Sequence, residues 1–145
     1  MSASLNAQTL LRVTYGLILL AHGFLLKVQT FTVAGFVGYM ESNGFPAVVA
    51  YLVLFGEILG GLALVAGVLT RLVAWLSLPI MLGATAVHLG NGWLFSAENG
   101  GWEFPAVLAV MAVVIGLQGG GRFALEQTES YRNLLGRFAP VPLAA

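Results

Sequence analysis

The sequence predicts an all-α integral membrane protein, a four-helix bundle with a short interfacial helix between its first and second spans. Three observations lead there. Hydrophobic residues make up 59% of the 145-residue chain and charged residues only 8%, where a soluble globular protein carries about 25% charged. Apolar runs recur at Leu10 to Leu26, Pro46 to Leu69, Leu72 to Leu89 and Phe104 to Leu117, and about 20 apolar residues are enough for a helix to cross a bilayer. A turn or a polar stretch separates each run from the next.

The first span starts near Thr9 and runs past Lys27, with Arg12 and Lys27 expected to snorkel to the two surfaces. Its cation lies inside the apolar run and no small-residue cleavage site follows, so it reads as a mature helix and not a signal peptide. In "TFTVAGFVGYMESNGFP", Val33, Phe36, Val37 and Met40 fall at i, i+3, i+4 and i+7 and "NGFP" stops the pattern, which predicts a short amphipathic helix at one interface. The tight "GVLTR" turn makes spans two and three an antiparallel hairpin. Pro79 removes the donor for the carbonyl of Trp75 inside span three and predicts a kink there. "GNGWLFSAENGGWEFP" reads as an exposed loop, and span four stops at "GGGR". Residues 1–121 then form the membrane domain and 122–145 an amphipathic tail, with "FALEQTESYRNLLGRF" a surface helix and "APVPLAA" loosely ordered.

Charge and composition remove several classes. Net charge is zero and the six Lys and Arg are scattered, so no basic cluster suits a nucleic-acid partner. With no cysteine, disulfide scaffolds, thiolate metal sites and cysteine nucleophiles are excluded, and with no aspartate the Ser-His-Asp arrangement is too. Arg12, Arg71, Arg122, Arg132 and Arg137 fall on one side of a four-span chain and Lys27 on the other, which puts both termini in the cytoplasm of a multi-pass inner-membrane protein.

"FPAVVAYLVLFGEILGGLALVAGVLT" holds one ionisable residue, Glu57. An acid at a helix centre is disfavoured by roughly 2.5 to 3.5 kcal/mol, so such groups have partners and often roles. His22 and His88 are the expected partners. Lys27 reads as a topology anchor and Glu103 as a charge at a helix start, yet all five fall at similar depth and can converge on one outward-opening pocket, with Phe24 among its apolar walls. A carboxyl and two imidazoles suit proton exchange near neutral pH. The bland reading makes Glu57 an interhelical clamp and leaves the histidines in the headgroup zone. Gly56 and Gly60 have GxxxG spacing, suited to internal packing or to a homo-oligomer. Metal is not expected, because no Glu-x-x-His pair occurs, and neither is haem.

The order "LLRVTYGLILLAHGFLLK", "GFP", "GEILGGLALVAGVLTRLVAW" and "MLGATAVHLGNG" resembles the DoxX family of small four-helix membrane proteins over roughly residues 10 to 120. Glu57, Arg71 and His88 match the pattern most clearly. The resemblance implies association with thiosulfate:quinone oxidoreductase or with oxidative-stress complexes in the membrane. Relatives that handle disulfides use cysteine pairs, and this chain has none.

The expected function is a membrane subunit of a redox complex, binding a quinone or small apolar redox partner in an outer-leaflet pocket. Glu57, His88 and His22 would carry the chemistry, with Lys27, Glu103 and Phe24 binding the ligand. Quinone reduction takes two electrons and two protons, and a partner subunit would supply the electrons. The competing expectations are a non-catalytic scaffold or assembly subunit, and a transporter or proton path.

Overall fold

The computed structural model describes residues 2–135; Arg137 and the "APVPLAA" ending lie outside them. Every regular element among the described residues is helical. Helix α1 (Ser2–Leu20) continues without a break into a π-helical segment, Ala21–Thr30. Then follow α2 (Val33–Ser42), α3 (Ala47–Ala66), α4 (Thr70–His88), α5 (Glu103–Gln118) and the short α6 (Glu129–Leu135).

Three helices are long and apolar enough to cross a membrane: 3–30, 47–66 and 70–91. Four were expected. Helix α5 is apolar but has 16 residues, about 24 Å at 1.5 Å per residue against a hydrocarbon core of about 30 Å. Gly119, at φ 89°, ends it. Helix α4 runs continuously through Pro79.

Helix α1 packs on α3, α3 on α4, α4 on α5, and α5 back on α1. Tyr15, Leu19, Leu64, Ala74, Met81, Leu108, Ala112 and Ile115 fill the space between them. Helix α2 packs on α3 through a second cluster of Phe36, Met40, Ala50 and Leu54, with Val33 and Val37 at its edge, which is the face its spacing predicted. Leu52, Phe55, Leu59 and Leu62 of α3 point outward, as suits a helix whose solvent is lipid.

Between apolar helices in lipid there is little hydrophobic drive, so close backbone approach matters more. A Cβ on Gly16 would lie 2.9 Å from the carbonyl oxygen of Gly61, and one on Gly61 would lie 2.8 Å from that of Gly16. Gly56 and Gly60 face α4 instead, against Ile80 and Val73, so the GxxxG pair is used for internal packing.

Arg12 does not snorkel. It is buried, and its guanidinium donates to the carbonyls of Val65 (2.8 Å), Leu64, Gly120 (2.8 Å) and Phe123 (3.3 Å). Leu64 and Val65 belong to the last turn of α3, where unpaired carbonyls and the negative end of the helix dipole favour a cation. Glu126 complements it at the start of α4, its Oε2 accepting from Thr70 N at 2.9 Å, while its own N–H donates to Gly67 O at 2.9 Å. The stretch 119–127 is therefore a strap folded over the α3–α4 turn, with Ala124 and Glu126 buried. Among the described residues, 123–128 belong to this strap and not to the surface helix expected there, and α6 follows it. Reading the composition alone, nothing marks Glu126 as a cap for a helix 56 residues away.

Replacing Gly61 by Ala should lower stability by about 1 to 3 kcal/mol, because backbone atoms on α1 must move. Gly83→Ala, where an added Cβ meets nothing within 4 Å, should be neutral or stabilising by up to about 1 kcal/mol. Thermal unfolding of both variants in the same detergent checks the contrast.

Candidate functional site

The polar site begins at the π-helical segment. A wider coil is rare, and it often marks a functional position. Its i→i+5 backbone pattern is visible at its end, where Phe31 N donates to Leu26 O at 2.9 Å, and the Thr30 hydroxyl adds a side-chain bond to Leu25 O at 2.9 Å. Gly23 and Lys27 are the buried members. A Cβ on Gly23 would lie 2.8 Å from Ile58 Cγ1 and 3.0 Å from Glu57 Cβ, so glycine lets the coil press onto α3 beside the acid.

Lys27 then reaches Glu57. Side chains on a helix lean toward its N-terminus, which carries the ammonium of Lys27 back to the level of Gly23, and its Nζ meets Glu57 Oε2 at 2.6 Å. Both residues are buried, at 9% and 4% exposure. The ring of Phe36 from α2 covers the ammonium at 5.1 Å, an attraction that strengthens where water is excluded. The expectation that Lys27 anchors at the surface is corrected here: it is the hydrogen-bonded partner of Glu57.

Neither histidine hydrogen-bonds to that pair. His22 Nδ1 bonds Ile18 O at 2.9 Å, and its ring stacks on Phe104 at the start of α5 at 5.6 Å. His88 Nδ1 bonds Ala84 O at 2.8 Å, and its ring lies against Gly100 in the α4–α5 loop. A carbonyl oxygen only accepts, so Nδ1 carries the proton in both rings, and in each neutral imidazole Nε2 keeps a lone pair. Glu103 Oε1 accepts from Phe95 N at 3.1 Å and so closes the same loop, which Trp93 and Trp102 brace edge to face at 4.4 Å. Phe24 is exposed on the outer surface of the segment. Of the six residues expected to converge, the structure joins Lys27 and Glu57 directly, and it gives His22, His88 and Glu103 local bonds of their own.

Ala21, His22, Leu25, Leu26 and Thr30 line a shallow, open groove of about 270 Å³. It runs along one face of the π-helical segment, away from the buried Gly23 and Lys27. Among the described residues, no group of three or more His, Asp or Glu side chains is placed to hold a metal ion.

A sequence profile of the DoxX family matches residues 7–90. The chain belongs to the DoxX family. No curated protein and no solved structure matches it. The matched stretch of this DoxX protein carries Arg12, His22, Lys27, Glu57 and His88, and so holds both halves of the buried ion pair.

Sequence reasoning missed a second buried polar contact in the DoxX core. Tyr15 on α1 and Ser77 on α4 share a hydrogen bond of 2.9 Å, both within the apolar cluster. The available signal was a tyrosine and a serine among aliphatic residues at positions that face inward. Neither type is costly enough in a helix to draw attention by itself.

Leaving one member of a buried ion pair alone is strongly destabilising, whereas replacing both by apolar groups is often neutral. Lys27→Met and Glu57→Leu should each lower stability by about 3 to 5 kcal/mol. The double variant should recover most of that loss. A double-mutant cycle on thermal unfolding in detergent reads the coupling directly.

Proposed function

We propose that this DoxX protein is an integral membrane subunit of a redox complex, and that it binds a quinone or quinol ring in the groove beside the π-helical segment. DoxX proteins are membrane proteins often linked to redox and quinone-related complexes. The observation that carries the reading is a π-helical segment with an ion pair of Lys27 and Glu57 buried on one face and an open groove edged by His22 on another. Helix α5 serves as a fourth, shorter span in a four-helix bundle, and α2 lies at the outer interface. The arginine-bearing end faces the cytoplasm of a multi-pass inner-membrane protein, as the distribution of cations favours.

The chemistry follows from the donors and acceptors. The lone pair on Nε2 of His22, at the groove's edge, accepts from a quinol hydroxyl. Glu57 exchanges the proton, with Lys27 holding the carboxylate in place. His88 and Glu103 shape the outer loop, and Phe24 contributes apolar surface. Two electrons and two protons move for each quinone, and a partner subunit takes or supplies the electrons.

A second reading has its own support. Lys27 and Glu57 bond each other and the groove is shallow, which also suits a non-catalytic scaffold or assembly subunit in which the ion pair fixes helix packing. An azido-quinone photolabel separates the two. The redox reading expects adducts within Ala21–Thr30 that excess unlabelled quinone removes, and a roughly 100-fold or greater loss of quinone-linked electron transfer in Glu57→Gln with assembly intact. Scattered labelling, or loss of the subunit from its complex with electron transfer otherwise normal, would favour the scaffold.

A further inference from the structure

The chain is neutral overall, but at the α3–α4 turn the fold takes one carboxylate, Glu126, out of play. Glu41 and Glu98 are exposed on α2 and the α4–α5 loop, at the end of the molecule opposite the α3–α4 turn. At the turn end, Glu126 is buried and turned inward onto Thr70 N, while Arg12 is held by backbone carbonyls. Arg71 and Arg122 are exposed there, as is Glu129 at the start of α6, and neither arginine has a carboxylate within ion-pair distance among the described residues.

These arginines flank one strap. A Cβ on Gly119, at φ 89°, would lie 3.1 Å from Arg71 Nε, so glycine leaves room for that guanidinium against the end of α5. Arg122 follows three residues later, at most about 11 Å along the chain, with its guanidinium 5.4 Å over the ring of Phe123. Trp75, Phe123 and Leu125 are all exposed around them. Guanidinium groups match phosphate oxygens in a planar, two-pronged fashion, and aromatic rings favour the boundary between headgroups and acyl chains.

We propose that the strap is a binding site for an anionic phospholipid, whose headgroup phosphate lies between Arg71 and Arg122 while its acyl chains run down past Trp75, Phe123 and Leu125. The lipid covers the outside of the element that Arg12 and Glu126 hold from within. The site therefore ties the leaflet's charge to the α3–α4 turn. It does not depend on the quinone reading.

Native mass spectrometry of the full chain, released from bilayer nanodiscs of mixed phosphatidylglycerol and phosphatidylcholine, tests this. The unaltered protein should retain phosphatidylglycerol in preference to phosphatidylcholine. Each cation near an anionic surface contributes roughly a five-fold preference, so Arg71→Gln with Arg122→Gln should reduce the retention ratio about twenty-five-fold, and Arg122→Gln alone about five-fold. Arg132→Gln should leave it unchanged. Because Arg122 is exposed, its single variant keeps the test valid if the double variant fails to fold. An unchanged ratio in Arg122→Gln, or equal loss in Arg132→Gln, would overturn the proposal. Displacement of the lipid by millimolar inorganic phosphate would also overturn it, by pointing to a site for a free anion.

Discussion

A carboxylate in the middle of a membrane-capable helix is tolerated only if something takes the place of water around it. In this protein Lys27 does so for Glu57, at 2.6 Å. Three local features serve that one contact. The π-helical coil presents Lys27 toward α3, Gly23 removes the Cβ that would hold the two backbones apart, and Phe36 of α2 seals the ammonium from the remaining side. Together they bind the end of the first long helix, the short helix α2 and the centre of α3 into a single unit. Buried ion pairs gain little net stability over apolar substitutes, so the value of this one lies in fixing register and, on the proposed function, in holding a carboxylate across the segment from the groove that His22 edges.

A second polar anchor works on a different principle. Arg12 and Glu126 do not form a direct ion pair; each meets the terminus of a helix, the cation at the carbonyl end of α3 and the carboxylate at the amide end of α4. Charges placed this way complement the helix dipoles and satisfy groups that a helix cannot pair internally. The consequence is topological: the strap after α5 closes over the turn between α3 and α4, although α5 and the strap lie beyond the stretch that matches the DoxX family. Between the two anchors, the Tyr15–Ser77 bond ties α1 to α4. In a medium where apolar contact gives little specificity, three polar contacts at different levels fix how the helices are rotated about their axes.

Much of this was legible in the sequence. The apolar runs located α3 and α4, the "GVLTR" turn joined them, and the spacing of Phe36 and Met40 identified the buried face of α2. Glu57 drew attention because an acid in an apolar run is costly. The rest depended on information that single residues do not carry. Lys27 stands near the end of an apolar run, where a lysine ordinarily reaches water, and only the π coil and Gly23 turn it inward. Arg12 gave the same false impression, since its acceptors are backbone carbonyls that no side-chain pattern reveals. The run Phe104 to Leu117 located α5 to within one residue at each end, and its shortness against the roughly 20 residues of a full span was already visible in the sequence. His88 closes α4, whereas His22 lies within the continuous first helix, and their bonds to carbonyls one turn back are available to any helical histidine and leave no trace in the spacing.

The ion pair can be observed without perturbing it. Solid-state NMR on the protein in lipid bilayers, with lysine labelled at Nζ and glutamate at Cδ, reports the dipolar coupling between Lys27 and Glu57 against the background of a single lysine in the chain. The account predicts a strong coupling at direct hydrogen-bond distance that disappears in Glu57→Gln samples labelled in the same way. A lysine signal with no carboxyl neighbour, in mobile contact with water or headgroups, would contradict it.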